Sequence, residues 1–414
     1  MGKAFLAWWN GAALKHAANT TTINTRFYMR KFVISGLVVL LTACGGGGGS
    51  SSSAPTTATG YFKDSNTQGV RYVSGGQSGV TGANGSFTYE VGNPVTFSVG
   101  GVTLGSVTVG RSVITPVDLV ANGATSMQSV QNLTRFLMML DADANPANGI
   151  QISPAVQTAA TSWSTVNFDQ TEGSFTTAVN SIVTAANTAD GPGTHTLPTA
   201  AAAQTHVEGT LRCARSGGFK GTYGGGDSGK SGVIIDATTG MATGVGYSNN
   251  LSSNFAIAGT SAVSLNQDAA FVSGVASTGA TYTGRMTTPD TITGTWNNGA
   301  LSGTFSSSRI GGALDAKYRF TGQFQNSGGM PVAYGLYTFD INGSNQVTGF
   351  AYDVSNDTSV ALTGTVSGAT LSGTTSSGVS FTATINLAAG TVSSATWTGG
   401  GSSGGFTASG CQLN

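Results

Sequence analysis

The feature that most constrains the fold is an internal repeat of about 100 residues in the C-terminal half of the chain. The two copies share aromatic, Thr and Gly positions in the same order, with small insertions between them. A unit of this length exceeds the roughly 20–50 residues of a solenoid repeat, so each copy has the size of a small domain. The matched positions are Phe219-Lys220-Gly221-Thr222-Tyr223 with Phe320-Thr321-Gly322-Gln323-Phe324, Asp236 with Asp340, Thr243-Gly244 with Thr348-Gly349, Tyr247 with Tyr352, Thr295-Trp296 with Thr396-Trp397, and Phe305 with Phe406.

Each copy is predicted to contain about eight short strands, because β-type runs and glycine-rich turns alternate every 10–12 residues or so. Such local connections predict up-and-down antiparallel meanders over residues 213–312 and 313–414. A meander of this size removes its exposed edges by closing into a barrel or by pairing with its twin. The sequence leaves both arrangements open.

A second β region is predicted over residues 60–125. Alternating runs such as Val95-Thr96-Phe97-Ser98-Val99 are separated by turn residues about every ten positions, which is typical of a small antiparallel β-sandwich. Asn84-Gly85 between two of these runs predicts a hairpin. The stretch Gly79–Tyr89 resembles the carboxypeptidase-regulatory-like sandwich modules of bacterial surface proteins.

Residues 126–212 are predicted to form a short helical region between the two β regions, so the fold class is mainly β. Apolar residues recur there at three- and four-residue steps, which indicates amphipathic helices. His206 lies on one helical stripe, and we expect it to be a packed or surface helix residue rather than a ligand. His195 lies in a loop rich in Gly, Pro and Thr, and we expect it to be solvated.

One candidate metal site follows the first predicted helix. Asp141, Asp143 and Asn145 place oxygen-bearing side chains at alternate positions, a pattern that suits a hard cation such as Ca²⁺. The pattern departs from the EF-hand loop, since Gly is not at the sixth position and no Glu closes the loop. The alternative is a helix-ending turn rich in Asx residues. No other cofactor is predicted.

An export signal is predicted over residues 29–43. Arg30 and Lys31 precede the apolar run Phe32–Leu41, which small residues follow. The run is too short for a membrane-spanning helix, which needs about 20 apolar residues. Because Met29 directly precedes these charges, residues 1–28 are predicted to be a mis-assigned start.

Leu41-Thr42-Ala43-Cys44 resembles the lipobox of bacterial lipoproteins. In that family the cysteine is fatty-acylated and becomes the mature N-terminus. The resemblance implies a lipid anchor on Cys44 and, since Gly45 rather than Asp follows, a Gram-negative outer membrane. The alternative is an ordinary signal peptide that contains a cysteine. Residues 44–59, rich in Gly and Ser, are predicted to be a flexible tether.

Two further cysteines flank the repeat: Cys213 stands just before the first copy and Cys411 near the end of the second. Oxidising compartments outside the cytoplasm permit disulfides. A bond between the two would join the ends of the duplicated region, and the alternative is a pair of free buried thiols.

Two motifs that suggest enzymatic chemistry are rejected on their context. Gly224–Ser231 fits the phosphate-loop pattern, but a β-branched strand follows it where a helix is needed, so we predict a hairpin loop. Gly226–Gly229 resembles the nucleophile segment of chymotrypsin-like proteases, but the required upstream barrel with its His and Asp is missing.

Charge excludes one class of partner. Charged residues make up 8% of the chain, against about 25% in typical globular proteins. Five basic residues and no acid lie in residues 1–43, so the remainder holds 12 basic and 17 acidic residues. A mildly acidic body has no basic face for nucleic acid, and neither a nucleic-acid nor a nucleotide partner is predicted.

The repeated aromatic, Thr and Gly texture, as in Leu301-Ser302-Gly303-Thr304-Phe305, resembles the barrel lobes of transferrin-binding-type surface lipoproteins. The resemblance implies a non-enzymatic, lipid-anchored protein that binds an extracellular protein, a glycan or an envelope partner. One alternative is a structural or assembly accessory protein of the outer membrane that faces the periplasm. A secreted hydrolase is the other.

Overall fold

A computed structural model describes residues 54–262, 270–288, 290–312, 314–326, 335–354, 357–399 and 402–413. The predicted mis-assigned start, the export signal, Cys44 and most of the tether lie outside these residues. Within them the chain is mainly β, with a group of helices between an N-terminal pair of sheets and a duplicated C-terminal part. This confirms the predicted fold class.

The N-terminal part is a sandwich of a three-stranded sheet in the order β5-β1-β8 and a four-stranded sheet in the order β4-β3-β6-β7, beside the short pair β2-β9. Phe62 and Phe97, one from each sheet, bring their rings to 4.7 Å between centroids in the shared core. The strands are β1 (Thr57–Phe62), β2 (Thr67–Gln68), β3 (Arg71–Ser74), β4 (Gln77–Val80), β5 (Ser86–Glu90), β6 (Val95–Val99), β7 (Val102–Val107), β8 (Val113–Ile114) and β9 (Ile150–Gln151).

The hairpin predicted at Asn84-Gly85 is wrong. Strands β4 and β5 flank this turn but belong to different sheets, so the turn carries the chain across the sandwich. Gly85 has φ of +77°, and a Cβ on it would lie 2.3 Å from the Phe62 carbonyl oxygen. The glycine is needed for this close crossing, and a sequence pattern does not distinguish such a turn from a hairpin.

Four α-helices follow in the described part of the chain: α1 (Gln128–Met139), α2 (Pro154–Ala160), α3 (Glu172–Asp190) and α4 (Ala200–Arg215). Ser153, Thr171 and Thr199 are the N-caps of the last three, and each side-chain oxygen accepts a hydrogen bond from a backbone N–H of the first turn. Apolar side chains of α1 are buried in the same core as the sandwich. The predicted helical region is therefore present.

The first repeat is a closed antiparallel barrel of eight strands, each paired with its neighbour in sequence. Pairing of the first strand with the last, from Gly218 opposite Ile310 to Gly225 opposite Gly303, closes the cylinder. Its strands are β10 (Gly217–Gly225), β11 (Gly229–Ile235), β12 (Met241–Ser248), β13 (Ser253–Ala262), β14 (Ala270–Ala276), β15 (Thr281–Thr288), β16 (Thr291–Asn297) and β17 (Ser302–Ile310).

The second repeat forms its own closed barrel, so the two copies do not share one sheet. The first and last strands pair from Tyr318 opposite Gln412 to Asn326 opposite Gly404. Its strands are β18 (Tyr318–Asn326), β19 (Gly335–Ile341), β20 (Gln346–Asp353), β21 (Thr358–Ser367), β22 (Thr370–Thr375), β23 (Ser380–Asn386), β24 (Thr391–Gly399) and β25 (Ser402–Gln412).

The recurrent glycines have a steric role beside the aromatic rings. Gly246 on β12 pairs with Phe255 on the adjacent strand β13, and a Cβ on the glycine would lie 2.1 Å from the Phe255 ring. Gly303 pairs with Trp296 in the same way, with 2.7 Å between the added Cβ and indole Nε1. A ring that lies across the neighbouring strand needs a residue without a side chain there. The repeated Gly and aromatic pattern follows from this packing.

Strand pairing corrects one position of the repeat alignment. Asp340 on β19 pairs with Arg319 on β18, whereas the equivalent ladder position in the first barrel holds Ile234 opposite Gly218. Matching Asp340 with Asp236 is therefore wrong by two residues. A comparison of residue types alone does not show where residues are inserted between the two copies, so it aligned the two aspartates.

The residue equivalent to Asp236 is Asn342. Both follow the second strand of their barrel, and both accept backbone N–H bonds from their own turn: Asp236 Oδ1 from Thr238 and Thr239, Asn342 Oδ1 from Ser344 and Gln346. The two side chains stabilise equivalent turns, one as a carboxylate and the other as an amide.

Candidate functional site

A cavity of about 120 Å³ lies at one end of the first barrel, where four hairpin turns meet. Four aromatic rings line it: Tyr223 on β10, Phe255 on β13, Tyr282 on β15 and Trp296 on β16. We call it the ring cavity. Its volume is below the roughly 300–1,000 Å³ of pockets for drug-sized ligands, so it suits a small headgroup or one side chain.

The Tyr223 ring stands at a steep angle to two of the other rings. Tyr223 makes an interplanar angle of 72° with Phe255 and 84° with Trp296, at centroid distances of 5.9 and 5.8 Å. Each of the four rings is less than a tenth exposed. Edge-to-face contacts of this kind are a favourable arrangement of aromatic pairs, so they stabilise the positions of these three rings.

Strand register brings these rings together from distant parts of the repeat. Tyr282 pairs directly with Trp296 on adjacent strands, and both lie at the same end of the barrel as Tyr223. Tyr223 reaches this end through the closing pair of strands, opposite Phe305. Because the set depends on barrel closure, the sequence repeat contains all four residues without indicating that they meet.

Asp227 in the first hairpin turn supplies a carboxylate to the cavity lining. Its Oδ2 accepts hydrogen bonds from Ser248 Oγ at 2.8 Å and Tyr223 hydroxyl at 3.2 Å. Its Oδ1 accepts the backbone N–H groups of Ser228 at 2.7 Å and Asn250 at 3.3 Å. The carboxylate therefore joins the β10–β11 turn to the β12–β13 turn at the cavity mouth.

Asp227 is ionised at neutral pH. Burial would raise the pKa of this carboxyl, but the hydrogen bonds from Ser248, Ser228, Asn250 and Tyr223 outweigh burial and hold it below its ordinary value. Burial and the charge of Asp227 raise the pKa of Tyr282 to about 12, and the same causes raise that of Tyr223. At neutral pH the cavity thus contains neutral phenols beside one negative charge.

Two exposed leucines lie at the mouth of the ring cavity. Leu251 in the β12–β13 turn is 62% exposed, and Leu301 before β17 is 38% exposed. Both belong to the cavity lining, so apolar surface continues from the buried rings to solvent. A ligand larger than the cavity would contact these side chains outside it.

The segment Gly224–Ser231, which fits the phosphate-loop pattern, contains the predicted hairpin turn between β10 and β11. The loop places Asp227 at the cavity mouth. The segment connects two strands, and its carboxylate bonds the β12–β13 turn.

Cys213 and Cys411 form the predicted disulfide, which links residues 198 positions apart. It joins the end of α4 to β25, the last strand of the second barrel. Ala316 and Leu413 pack around it. Both barrels lie within the covalent loop that it closes.

The three residues of the predicted Ca²⁺ site lie together in the loop after α1. Asp143 accepts hydrogen bonds from the Asn145 backbone N–H at 3.0 Å and from Asn148 Nδ2 at 2.8 Å, as in the Asx-rich turn that was the alternative. Asp141 Oδ1 accepts the Gln151 N–H at 2.9 Å. Its other oxygen is buried without a hydrogen bond, and burial raises the pKa of Asp141 to about 6.

In the part of the chain that the structure describes, no three His, Cys, Asp or Glu side chains are grouped to hold a metal ion. Asn145 meets Asp143 with a backbone donor, whereas a cation needs oxygens. The Ca²⁺ site at Asp141, Asp143 and Asn145 stays a prediction. An increase in the melting temperature on adding CaCl₂, absent in Asp143→Asn, would support it.

The expectation that His195 is solvated is wrong. The side chain is buried, with Nδ1 2.8 Å from the Met139 carbonyl oxygen and Nε2 3.1 Å from Asp190 Oδ2. His195 therefore links the C-terminal ends of α1 and α3. The polar composition of its loop does not reveal that the loop folds back between two helices.

His206 on α4 forms an ion pair that the sequence did not indicate, with Nε2 3.3 Å from Asp64 Oδ1. Asp64 is fully buried in the turn after β1. Burial would lower the pKa of His206, but the Asp64 carboxylate outweighs burial and holds it above its ordinary value. The pair connects the helices to the sandwich, and Asp64-Ser65 looks like an ordinary turn in the sequence.

Comparisons with known proteins add little. No family model matches the chain, and no curated protein matches it. One solved structure with a match is a single-residue mutant of the vaccine antigen Transferrin Binding Protein B from Haemophilus parasuis Hp5, at 9% identity and a TM-score of 0.17. The match covers 45% of this chain and 66% of that one, just under two-thirds of its length. A likeness this weak carries no functional conclusion.

Among the described residues, no helix combines the length and apolar character that crossing a bilayer requires.

Proposed function

We propose that this chain is a non-enzymatic binding protein, anchored by lipid on Cys44 and displayed from the outer membrane, with the ring cavity as its recognition site. The anchor rests on the lipobox resemblance and on the charged and apolar segments before it. The binding role rests on the cavity, where rigid strands hold four rings and a carboxylate beneath exposed turns.

The chemistry of the cavity favours binding over catalysis. A general base works best when its pKa lies near the working pH. Asp227 has a pKa below its ordinary value and already accepts four hydrogen bonds, so it takes up a proton poorly at neutral pH. The phenols of Tyr223 and Tyr282 hold their protons too tightly to donate them.

The binding role is tested by saturation-transfer NMR of the full chain with two small probes of different chemistry, choline and N-acetylglucosamine. We expect transfer to at least one probe, and loss of transfer in Trp296→Leu. Trp163→Leu, which removes an indole from the N-terminal core, is the matched control and should retain transfer if the variant is folded. Absence of transfer to both probes in the native chain would contradict the role.

The anchor and its display need separate experiments. Mass spectrometry of the mature protein should show Cys44 as the first residue, carrying fatty acyl groups. Protease treatment of intact cells should cleave the protein if the barrels face outward. Retention of Phe32–Leu41 without acylation contradicts the anchor, and full protection from protease favours the periplasmic accessory protein.

A further inference from the structure

We infer that the ring cavity binds a quaternary ammonium group, an inference that rests on the proposed binding function and names its ligand class. Four rings, Tyr223, Phe255, Tyr282 and Trp296, surround a space of about 120 Å³ that one carboxylate borders. Aromatic faces attract cations through the ring quadrupole, and boxes of such rings are suited to alkylated ammonium groups.

The four turns that border the cavity carry charge of one sign. The four turns span residues 224–229, 248–254, 276–281 and 297–302, and Asp227 is the single charged residue among them. No Lys or Arg in these turns competes for the rings or neutralises the carboxylate. A cation that enters therefore gains both attraction to the rings and attraction to Asp227.

Four donors at the cavity are already engaged within the protein, which bears on the kind of ligand that fits. The Trp296 indole N–H donates to the Gly224 carbonyl at 3.1 Å, and the hydroxyls of Tyr223 and Ser248 donate to Asp227. Asn250 Nδ2 donates to the Gly226 carbonyl at 3.2 Å. An anion or a sugar that bonded to these four donors would have to break an existing hydrogen bond for each one.

The hydrogen bonds that Asp227 already accepts also favour a quaternary over a primary ammonium group as the ligand. A primary ammonium carries three N–H donors, each of which needs an acceptor when water is removed. Both oxygens of Asp227 already accept two hydrogen bonds each. A quaternary ammonium has no N–H and requires only charge and apolar contact, which the rings and the carboxylate supply without rearrangement.

The test is isothermal titration of the full chain, in a detergent without an ammonium group, with choline and its neutral carbon isostere 3,3-dimethylbutanol. We expect choline to bind about tenfold more tightly, because only choline carries the charge. Ethanolamine, the primary-ammonium analogue, should bind more weakly than choline. Phosphocholine and trimethyllysine then distinguish a headgroup source from a peptide source of the same trimethylammonium group.

Variants locate the effect. Asp227→Asn should weaken choline binding several-fold and leave the isostere unchanged, and Trp296→Leu should abolish both. Asp236→Asn removes a turn-bonding carboxylate at the opposite end of the same barrel and should change neither. Near-UV circular dichroism confirms that each variant is folded, and Trp296→Phe, which keeps a ring, should retain part of the affinity.

Three outcomes overturn the inference. If the isostere binds as tightly as choline, the cavity is an apolar pocket without cation selectivity. If N-acetylglucosamine gives NMR transfer that Trp296→Leu abolishes while choline does not bind, the ligand class is wrong and the proposed binding function stands. If no probe binds, the proposed function fails together with the inference.

Discussion

The two barrels share one topology and one pattern of glycines opposite rings, yet their equivalent ends differ in chemistry. In the first barrel Tyr223 faces Phe305 and Tyr282 faces Trp296, whereas the second has Phe324 opposite Phe406 and Phe381 opposite Trp397. Both phenol hydroxyls are thus replaced by hydrogen. Both barrels close with either set, so barrel closure does not require the hydroxyls.

A second difference replaces a ring by a small side chain. Gly246 pairs with Phe255 in the first barrel, and Ala351 pairs with Val360 at the equivalent place in the second. From the first barrel to the second, the residue on one strand becomes larger, from Gly to Ala, and its partner becomes smaller, from Phe to Val. Of the four rings of the cavity, the second barrel therefore has three.

The largest expected effect concerns an ion pair between two adjacent strands of the second barrel. The first barrel has no ion pair at the equivalent positions. Arg319 is fully buried, with Nε 2.9 Å from Asp340 Oδ1, where the first barrel has Gly218 and Ile234. Asp340→Ala should lower the free energy of unfolding by about 3–5 kcal/mol, because it leaves a buried guanidinium without this carboxylate. Urea denaturation followed by circular dichroism measures it.

The control for that change is Lys230→Ala. Lys230 Nζ lies 3.7 Å from Asp357 Oδ2, and the two side chains are 37% and 48% exposed. Water replaces the interaction there, so the expected cost is below about 1 kcal/mol. Equal costs for the two alanine variants would contradict the distinction between a buried and an exposed pair.

The next effect comes from the exchanged volumes. Gly246→Ala places a methyl group 2.1 Å from the Phe255 ring and should cost about 1–3 kcal/mol by overpacking. The double variant Gly246→Ala with Phe255→Val copies the second barrel and should recover most of this loss. A double-mutant cycle of unfolding free energies measures the coupling, and additive costs would show that the two barrels pack differently here.

Smaller effects are expected when the phenols are converted to the second barrel's phenylalanines. Tyr223→Phe loses the hydrogen bond to Asp227 and should cost about 0.5–1.5 kcal/mol. Tyr282→Phe should cost less, because no hydrogen bond from its hydroxyl to this carboxylate is present. Thermal melting compares the two variants, and a larger loss for Tyr282→Phe would run against this account.

The smallest expected effect is a pH dependence of stability, which should differ between the equivalent turn residues Asp236 and Asn342. Burial would raise the pKa of Asp236, but hydrogen bonds from Ser409, Thr239 and Thr238 hold it below its ordinary 3.8. A lowered folded pKa means that the carboxylate stabilises the fold above pH 3.8 and that this stabilisation disappears as the pH falls through the folded value.

Asp236→Asn should therefore flatten the loss of stability as the pH falls below about 4. The reciprocal change, Asn342→Asp, should introduce acid sensitivity in the second barrel. Unfolding midpoints in urea across this pH range measure both. Parallel pH profiles for the native chain and both variants would argue against the carboxylate's contribution.

Much of the fold could be predicted because it depends on local patterns. Strand length, turn spacing and helical periodicity are visible residue by residue, and the repeat itself indicated two small β domains. The disulfide followed from the two cysteines that flank the repeat, Cys213 and Cys411. Each of these features needs information from neighbouring positions or a simple count.

The parts that could not be predicted depend on register and on three-dimensional neighbours. The equivalence of Asp340 with Ile234 is visible only once strands are paired. The ring cavity needs barrel closure to bring Tyr223 to Trp296, and the burial of His195 needs two helix ends to meet around it. The turn at Gly85 has the composition of a hairpin, while its use depends on the nearby Phe62 carbonyl.

The Cys213–Cys411 bond has a practical consequence for any protease experiment on cells. A protease that cuts one exposed turn anywhere between these cysteines leaves both pieces covalently connected, since the bond spans the cut. On a gel run without reductant such a molecule migrates as a single species and looks untouched. The fragments separate only after reduction. Cleavage of outward-facing barrels is therefore detected only when the gel is run with a reductant.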